Sequence, residues 1–449
     1  MANETKKHEV TAAFRLEVGK NIGSAWSFGG STIQTLGANH AISYVNVDAK
    51  GLSESIEDNN IVGQAFMDNP VQTLKRADIP AWDGNVKSVN MGRLAYYWAG
   101  YEDGGSSAAD AVFKFTVSGV TVSPTNGATY TNNSSTFTVR EVSITAGAGT
   151  IWAERTTGSN DPLAGPDTLT KASGTGEATL SYSVVTAAFY FHLFELDQHE
   201  RGFCVYRTAE QTAGDFLAAD RKNRFATVAF KRGPNDHRYS HIICTKFGFS
   251  STAGQKLTWN CGQIGHAENR GDHSSGTWTF PTGADLTDND FLHRELTVSI
   301  GPSGSLVAVG VTDITIDIAM AMNPDQDTES GLNIIEPVLD GFYVVTGSIT
   351  LARHSADTFL ANRDAHDLLA LKIVADKGDF MFGLFIPSLK ISDAAISGDT
   401  VANHTLTLEI GQPATNPFTS EIWGVNLIQN GPVFLIIRDQ NAQNEMRRE

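Results

Sequence analysis

The chain predicts an all-β fold with a few short helices, spread over two to three domains, and three observations carry that prediction. The first is period-2 alternation of apolar residues, the signature of a strand with one face on a core. It runs through Phe113, Phe115 and Val117, through Leu296, Val298 and Ile300, and through Leu406, Leu408 and Ile410. Its longest instance is Ile314, Ile316, Ile318, Met320 and Met322. The second is composition, because 42 glycines and many Thr and Ser residues favour turns and strands. The third is length, since 449 residues exceed what one hydrophobic core usually organises. Hydrophobic residues make up 41%, enough for sizeable cores, while charged residues are only 18%, low enough to suggest a surface partly covered by other subunits.

Two segments carry helical spacing. From Asn90 to Tyr101, Leu94, Tyr97 and Trp98 fall on one side. From Ser355 to Leu369, Ser355 is placed as an N-cap and Phe359, Leu360 and Leu368 as the inward face.

These elements recur in order. Gly63, Asn69-Pro70-Val71, an extended segment over 77–89 and the first helix are matched by Gly331, Glu336-Pro337-Val338, an extended segment over 342–352 and the second helix. Thr245 to Phe249 then leads through a turn to Leu257-Thr258, ending in Gly262-Gln263; Ser388 to Ile391 leads likewise to Leu406-Thr407, ending in Gly411-Gln412. The order predicts a duplicated domain. One copy covers 1–104 with 188–290, the other 291–425, and 426–449 is a last strand with a frayed tail. Between the halves of the first copy, residues 105–187 follow a Gly- and Ser-rich entry and hold short strands such as Thr136 to Val139 and Ala178 to Tyr182. They predict an inserted small β-sandwich, placed where a surface loop tolerates it.

The net charge is −17, and residues 291–449 hold 9 Lys and Arg against 20 Asp and Glu, or −11. An acidic surface does not clamp a phosphate backbone, whose affinity rests on Lys and Arg displacing counterions. Plain solubility explains the same charge. Cys204, Cys244 and Cys261 form no CxxC pair and read as core thiols in a reducing compartment. No apolar run has leader or membrane-span length, so the expectation is a product of the cytoplasm with no membrane partner.

Chemistry-bearing patterns are few. No GxSxG elbow, P-loop, HExxH or paired CxxC occurs, so the sequence reads as no enzyme, with no cofactor and no metal. His266 to His273 mixes His and carboxylates but reads as a polar loop. Asp325, Asp327 and Glu329 alternate like a calcium loop, yet Ser330 stands where that loop needs Gly, so it reads as solvated. From Arg221 to Lys246 there are seven basic residues against Asp236. Arg221, Lys222, Arg224, Lys231 and Arg232 are the candidates for salt bridges between subunits. Phe189, Tyr190, Phe191 and Phe194 read as core strand, and His192 and His241 as histidines with no partner signal.

Gly331 to Arg353, with Val345-Thr346-Gly347-Ser348-Ile349-Thr350 at its centre, then a helix and Leu369-Ala370-Leu371-Lys372-Ile373, resembles the tail tube family of long-tailed bacteriophages. The likeness covers both halves, the second more clearly, and the inserted unit resembles the immunoglobulin-like modules of phage tail and capsid proteins. The resemblance implies tandem tail-tube-type β-sandwich or barrel domains whose strands join those of neighbours around a lumen. It implies a structural subunit of the virion tail, made in host cytoplasm. Its partners would be itself, in a ring of three with pseudo-sixfold symmetry or of six, other tail proteins, and genomic DNA passing without specific binding. The loops at Asn69, Pro70 and Val71 and at Glu336, Pro337 and Val338 are the candidate assembly loops. An acidic wall would let DNA slide past. The alternatives are another virion assembly protein, capsid or decoration subunit, and a carbohydrate-binding surface adhesin.

Overall fold

A computed structural model describes residues 12–16, 41–42, 44–56, 71–87, 91–103, 112–196, 226–232, 235–271, 290–323, 338–339, 343–352, 358–397, 403–411, 413–414, 416–418 and 431–439. Among the described residues the fold is mostly β, with a large antiparallel sheet, a six-stranded antiparallel barrel and two α-helices.

The chain opens with β1 (Ala12–Leu16), β2 (Ala41–Ile42), β3 (Asn46–Ile56), β4 (Val71–Asn85), α1 (Met91–Ala99) and β5 (Gly100–Asp103). The barrel takes β6 (Val112–Ser118), β7 (Thr129–Asn132), β8 (Ser135–Thr145), β9 (Ala148–Thr157), β10 (Asp167–Ser173) and the front of β11 (Thr179–Leu196). Then come β12 (Ala226–Arg232), β13 (Asn235–Thr252) and β14 (Thr258–Gly271). The second half begins with β15 (Leu296–Gly301), β16 (Val307–Val309), β17 (Val311–Ala319), β18 (Met322–Asn323), β19 (Val338–Leu339) and β20 (Val344–Leu351). It ends with α2 (Thr358–Ala365), β21 (Leu369–Asp376), β22 (Met381–Ser397), β23 (Asn403–Ile410) and β24 (Phe434–Asp439).

In the first half the strands pair in the order β2-β1-β12-β13-β14-β4-β3. In the second they pair in the order β16-β15-β21-β22-β23-β20-β17. The two orders are one topology used twice, with a helix after β4 and after β20. The two Leu-Thr…Gly-Gln stretches begin on equivalent strands, β14 and β23. The halves meet through β13. Its front half pairs with β12, its back half (Lys246–Thr252) pairs with β17, and β14 runs along its other side. His241, at φ 52°, sits where the partner changes. The left-handed residue falls inside the bulge of the β12–β13 register, between Tyr239 and Ile242.

One core runs through both halves and takes in α1. Met91, Leu94, Ala95, Tyr97 and Trp98 are buried, the face that the spacing predicts. Trp98 stacks on Phe247 with centroids 5.4 Å apart and donates to Cys261 Sγ at 3.3 Å. Helix α2 meets expectation in part: Phe359 and Leu360 are partly buried and pack against the core, as the spacing predicts, but the helix is short and Leu368 does not join them. It spans only Thr358–Ala365 and has no fully buried residue, and Leu368 is 59% exposed. Leu369 takes the inward position instead, because the chain has already straightened into β21 and alternation there selects Leu369 and Leu371. Ser355 lies outside the described residues. The longest alternating run also stops short: β17 ends at Ala319, and Met322 enters a two-strand ribbon with β19.

The barrel closes in the order β6-β9-β8-β7-β10-β11 and back to β6 around Phe113, Phe115, Tyr130, Phe137 and Tyr182. Strand β11 runs on from the barrel into the main sheet, where Tyr190 to Glu195 pair with β24 and Leu193 to Leu196 with β5.

Candidate assembly surface

From β3 to β22 the strands lie in one continuous run, β3-β4-β14-β13-β17-β20-β23-β22. Their registers align residues in rows across it. One row is Val45, Gly84, Trp259, Phe249, Ile316, Gly347, Leu408 and Ile391, buried wherever the sheet is covered. The next row, one residue along, points the other way: Asn46, Asp83, Asn260, Gly248, Asp317, Thr346, Glu409 and Lys390. Period-2 alternation therefore turns one sequence pattern into two faces, one packed and one polar.

The polar face is built of hydroxyls and carboxylates. A second row reads Asn85, Thr258, Ser250, Thr315, Ser348, Thr407 and Asp393, and a third Thr252, Asp313, Thr350, Thr405 and Ala395. Neighbouring hydroxyls bond across strands, Ser250 Oγ to Thr258 Oγ1 at 2.8 Å and Thr350 Oγ1 to Thr405 Oγ1 at 3.1 Å. Such pairs stabilise a sheet by a few tenths to about 1 kcal/mol each. The charged groups in these rows are Asp83, Asp313, Asp317, Asp393, Glu409 and Lys390, joined by Asp48 and Lys246 in the flanking row. Lys50 and Asp78 oppose each other beyond the bulge and cancel. The face is net acidic, and most of its carboxylates come from the second half. Burial pushes the Asp83 carboxyl above its ordinary value. Gly248 is required in its row, for a Cβ there would meet Asp317 Oδ1 at 2.5 Å and the Ile316 carbonyl at 2.7 Å.

A second contact zone ties the barrel to the second half. The Arg438 guanidinium, fully buried, pairs with Glu141 of the barrel and with Asp376 at 3.1 Å. It also donates to the Gly378 carbonyl at 2.8 Å and lies 4.0 Å over the Trp152 ring. Lys114 on β6 pairs with Asp379. Trp152 packs edge-on against Phe189 in an apolar cluster with Phe385 and Phe434. Sequence reading missed this clasp. The signal available was one arginine ending the apolar run Phe434-Leu435-Ile436-Ile437.

The predicted sites fall unevenly. Lys231 and Arg232 end β12 at its turn into β13; Arg221, Lys222 and Arg224 lie outside the described residues. Val71 begins β4, and Val338 pairs with Asn323; Asn69, Pro70, Glu336 and Pro337 lie outside. Both loops therefore join equivalent strand pairs, β3 to β4 and β17 to β20. The calcium-like stretch from Asp325 lies outside as well. The segment from His266, read as a loop, is strand as far as Gly271. Its Glu268 accepts from Tyr239 at 3.0 Å and lies 2.9 Å from His237 Nδ1, so cross-strand pairing outweighs its turn-forming residues. Asp272 and His273 are outside the described residues. Among the described residues no cluster of three His, Cys, Asp or Glu is placed to hold a metal. No helix among them is long and apolar enough to cross a membrane.

Phe189, Phe191 and Phe194 are buried on β11 as expected; the Tyr190 side chain is not described. His192, expected to lack a partner, lies 3.2 Å from Asp439 Oδ1. The two are 247 residues apart and meet because β24 pairs with β11. Cys244 and Cys261 are buried thiols with sulfurs 3.8 Å apart; Cys204 lies outside the described residues.

A scan against protein-family models finds no match, and a search of curated proteins finds no significant relative.

Proposed function

We propose that this chain is a structural subunit of a bacteriophage tail tube, assembling in rings of three that stack into a conduit for DNA, and that it is not an enzyme. One observation carries the reading: the doubled topology fused into one continuous sheet with a packed face and a polar, acidic face. A three-copy ring then presents six similar domains around a lumen. The hydroxyl- and carboxylate-rich face suits a wall past which a polyanion moves, because it offers little cationic charge to exchange for condensed counterions. The likeness of Gly331 to Ile373 to tail tube proteins points the same way.

The test is negative-stain and cryo-electron microscopy of purified protein, with native mass measurement. Stacked rings of three chains and six similar lobes are expected. Six whole chains per ring would overturn the stoichiometry, and dispersed monomers at high concentration would overturn the tube.

A further inference from the structure

Strands β13 and β14 carry the two described cysteines, one on each, and Cys244 sits where β13 passes from β12 to β17. Phe247 opposes Cys261 and Cys244 opposes Gln263, and a bulge between Cys244 and Lys246 sets two residues of β13 against Gly262. In a regular strand Cys244 and Phe247, three positions apart, would point to opposite faces. The bulge turns both to the core, where they are buried with Cys261. The Cys244 and Cys261 sulfurs lie 3.8 Å apart. A disulfide sets its sulfurs about 2.0 Å apart, so side-chain rotation is the movement that remains.

Both sulfurs are held from outside the pair. Trp98 Nε1 of α1 donates to Cys261 Sγ at 3.3 Å, and the Cys244 thiol donates to the Lys246 carbonyl at 3.3 Å. Beside them Gln263 is 1% exposed, and neither its Nε2 nor its Oε1 finds a hydrogen bond. A buried amide without a partner is costly. This one faces Cys244 across the ladder, and its N–H groups are donors available to the thiolate through which thiol oxidation passes.

We propose that Cys244 and Cys261 form a redox-sensitive staple, reduced in the chain as it folds and closed to a disulfide by an oxidant of the peroxide class. The step balances. One thiolate attacks the peroxide, an S–O bond forms as the O–O bond breaks, and the departing hydroxide takes up the thiol's proton as water. The second sulfur attacks the sulfenic sulfur, the S–S bond forms, and a second water leaves. Two thiols give up two electrons, and one peroxide takes them. Closure ties β13 to β14 beneath α1, within the core that both halves share. When the pair closes rests on the tube reading, in which a chain made in a reducing cytoplasm leaves it in a virion; the chemistry of the pair does not.

Hydrogen peroxide added to the folded chain in a Cys204→Ser background tests it, read by intact mass. A loss of about 2 Da, reversed by dithiothreitol, is expected. Tryptic peptides 239–246 and 257–270 should run joined before reduction. Adding Cys244→Ser leaves Cys261 alone; with no second sulfur to capture it, its sulfenic acid should run on to a sulfinic acid, a gain of about 32 Da. Two thiols that stay free in the paired chain, or that gain oxygen without linking, would overturn the staple. The oxidised chain should also melt several degrees above the same chain after dithiothreitol, and a closed pair that melts no higher would overturn its stabilising role. Closure in a chain that never forms tubes would support the staple and sink the tube reading, and tubes whose thiols stay free would do the reverse.

Discussion

Arg438 and Glu141 show how a buried ion pair is balanced at one point of this fold. Removing the guanidinium from water costs several kcal/mol, which its partners must offset. Here two carboxylates, a carbonyl and an indole face do so together. Burial pushes the Glu141 carboxyl above its ordinary value of 4.5; Arg438 pulls it down and Asp376 pushes it up again. The net rise means that the folded chain holds this proton to higher pH than the unfolded chain does. A raised acid costs stability above its folded pKa, and the cost fades as pH falls toward the unfolded value. Glu141→Gln removes that dependence. The unfolding free energy of the wild type minus that of Glu141→Gln should rise as pH falls from about 8 to about 5. Urea unfolding at several pH values measures it, and a difference that shrinks over that window would contradict the burial argument.

At the scale of elements, what was legible was whatever repeats locally. Alternation located β6, β15, β17 and β23, and the 3.6-residue spacing located α1 with its buried face. The strand order of the described residues repeats between the halves, whereas the Gly and Pro positions that suggested a duplication, Gly63, Asn69-Pro70, Gly331 and Glu336-Pro337, lie outside them. Pairings between distant strands were not readable: β11 with β24 joins His192 to Asp439, and nothing in either segment announces the other. Leu368 was misplaced for a related reason. Helical spacing alone does not say where a helix yields to a strand, and burial of Leu369 decided it. The barrel's docking was equally hidden, although it has a consequence that can be measured. Excising residues 112–187 with a Gly-Ser bridge strips Glu141 and Trp152 from Arg438 and uncovers Phe189 and Phe191. Leaving a buried charge short of its partner costs about 3–5 kcal/mol. The excised chain should melt well below the full chain, and adding Arg438→Leu should recover part of the loss. Equal melting points for full and excised chains would show that the docking adds nothing.

At the scale of the whole molecule, the polar face behaves as one object, because its rows cross both halves without interruption. Its charge decides what it does to a polyanion. Duplex DNA carries about one charge per 1.7 Å of axis, and a protein that neutralises Z phosphates binds with a salt slope of about −0.9Z. A face holding Asp48, Asp83, Asp313, Asp317, Asp393 and Glu409 against Lys246 and Lys390 offers few such contacts. Its repulsion reaches only about 8 Å at physiological salt, so it discourages sticking without barring entry. Replacing Asp313, Asp317 and Glu409 together by Lys reverses the sign of the face while leaving the packed side untouched, since all three point away from the core. Wild-type assemblies spun down with short duplex DNA at physiological salt should leave the DNA in the supernatant. The triple variant should carry DNA into the pellet and release it as salt rises. Wild-type assemblies that retain DNA under the same conditions would mean that the face is a binding surface, and the conduit reading would fall with it.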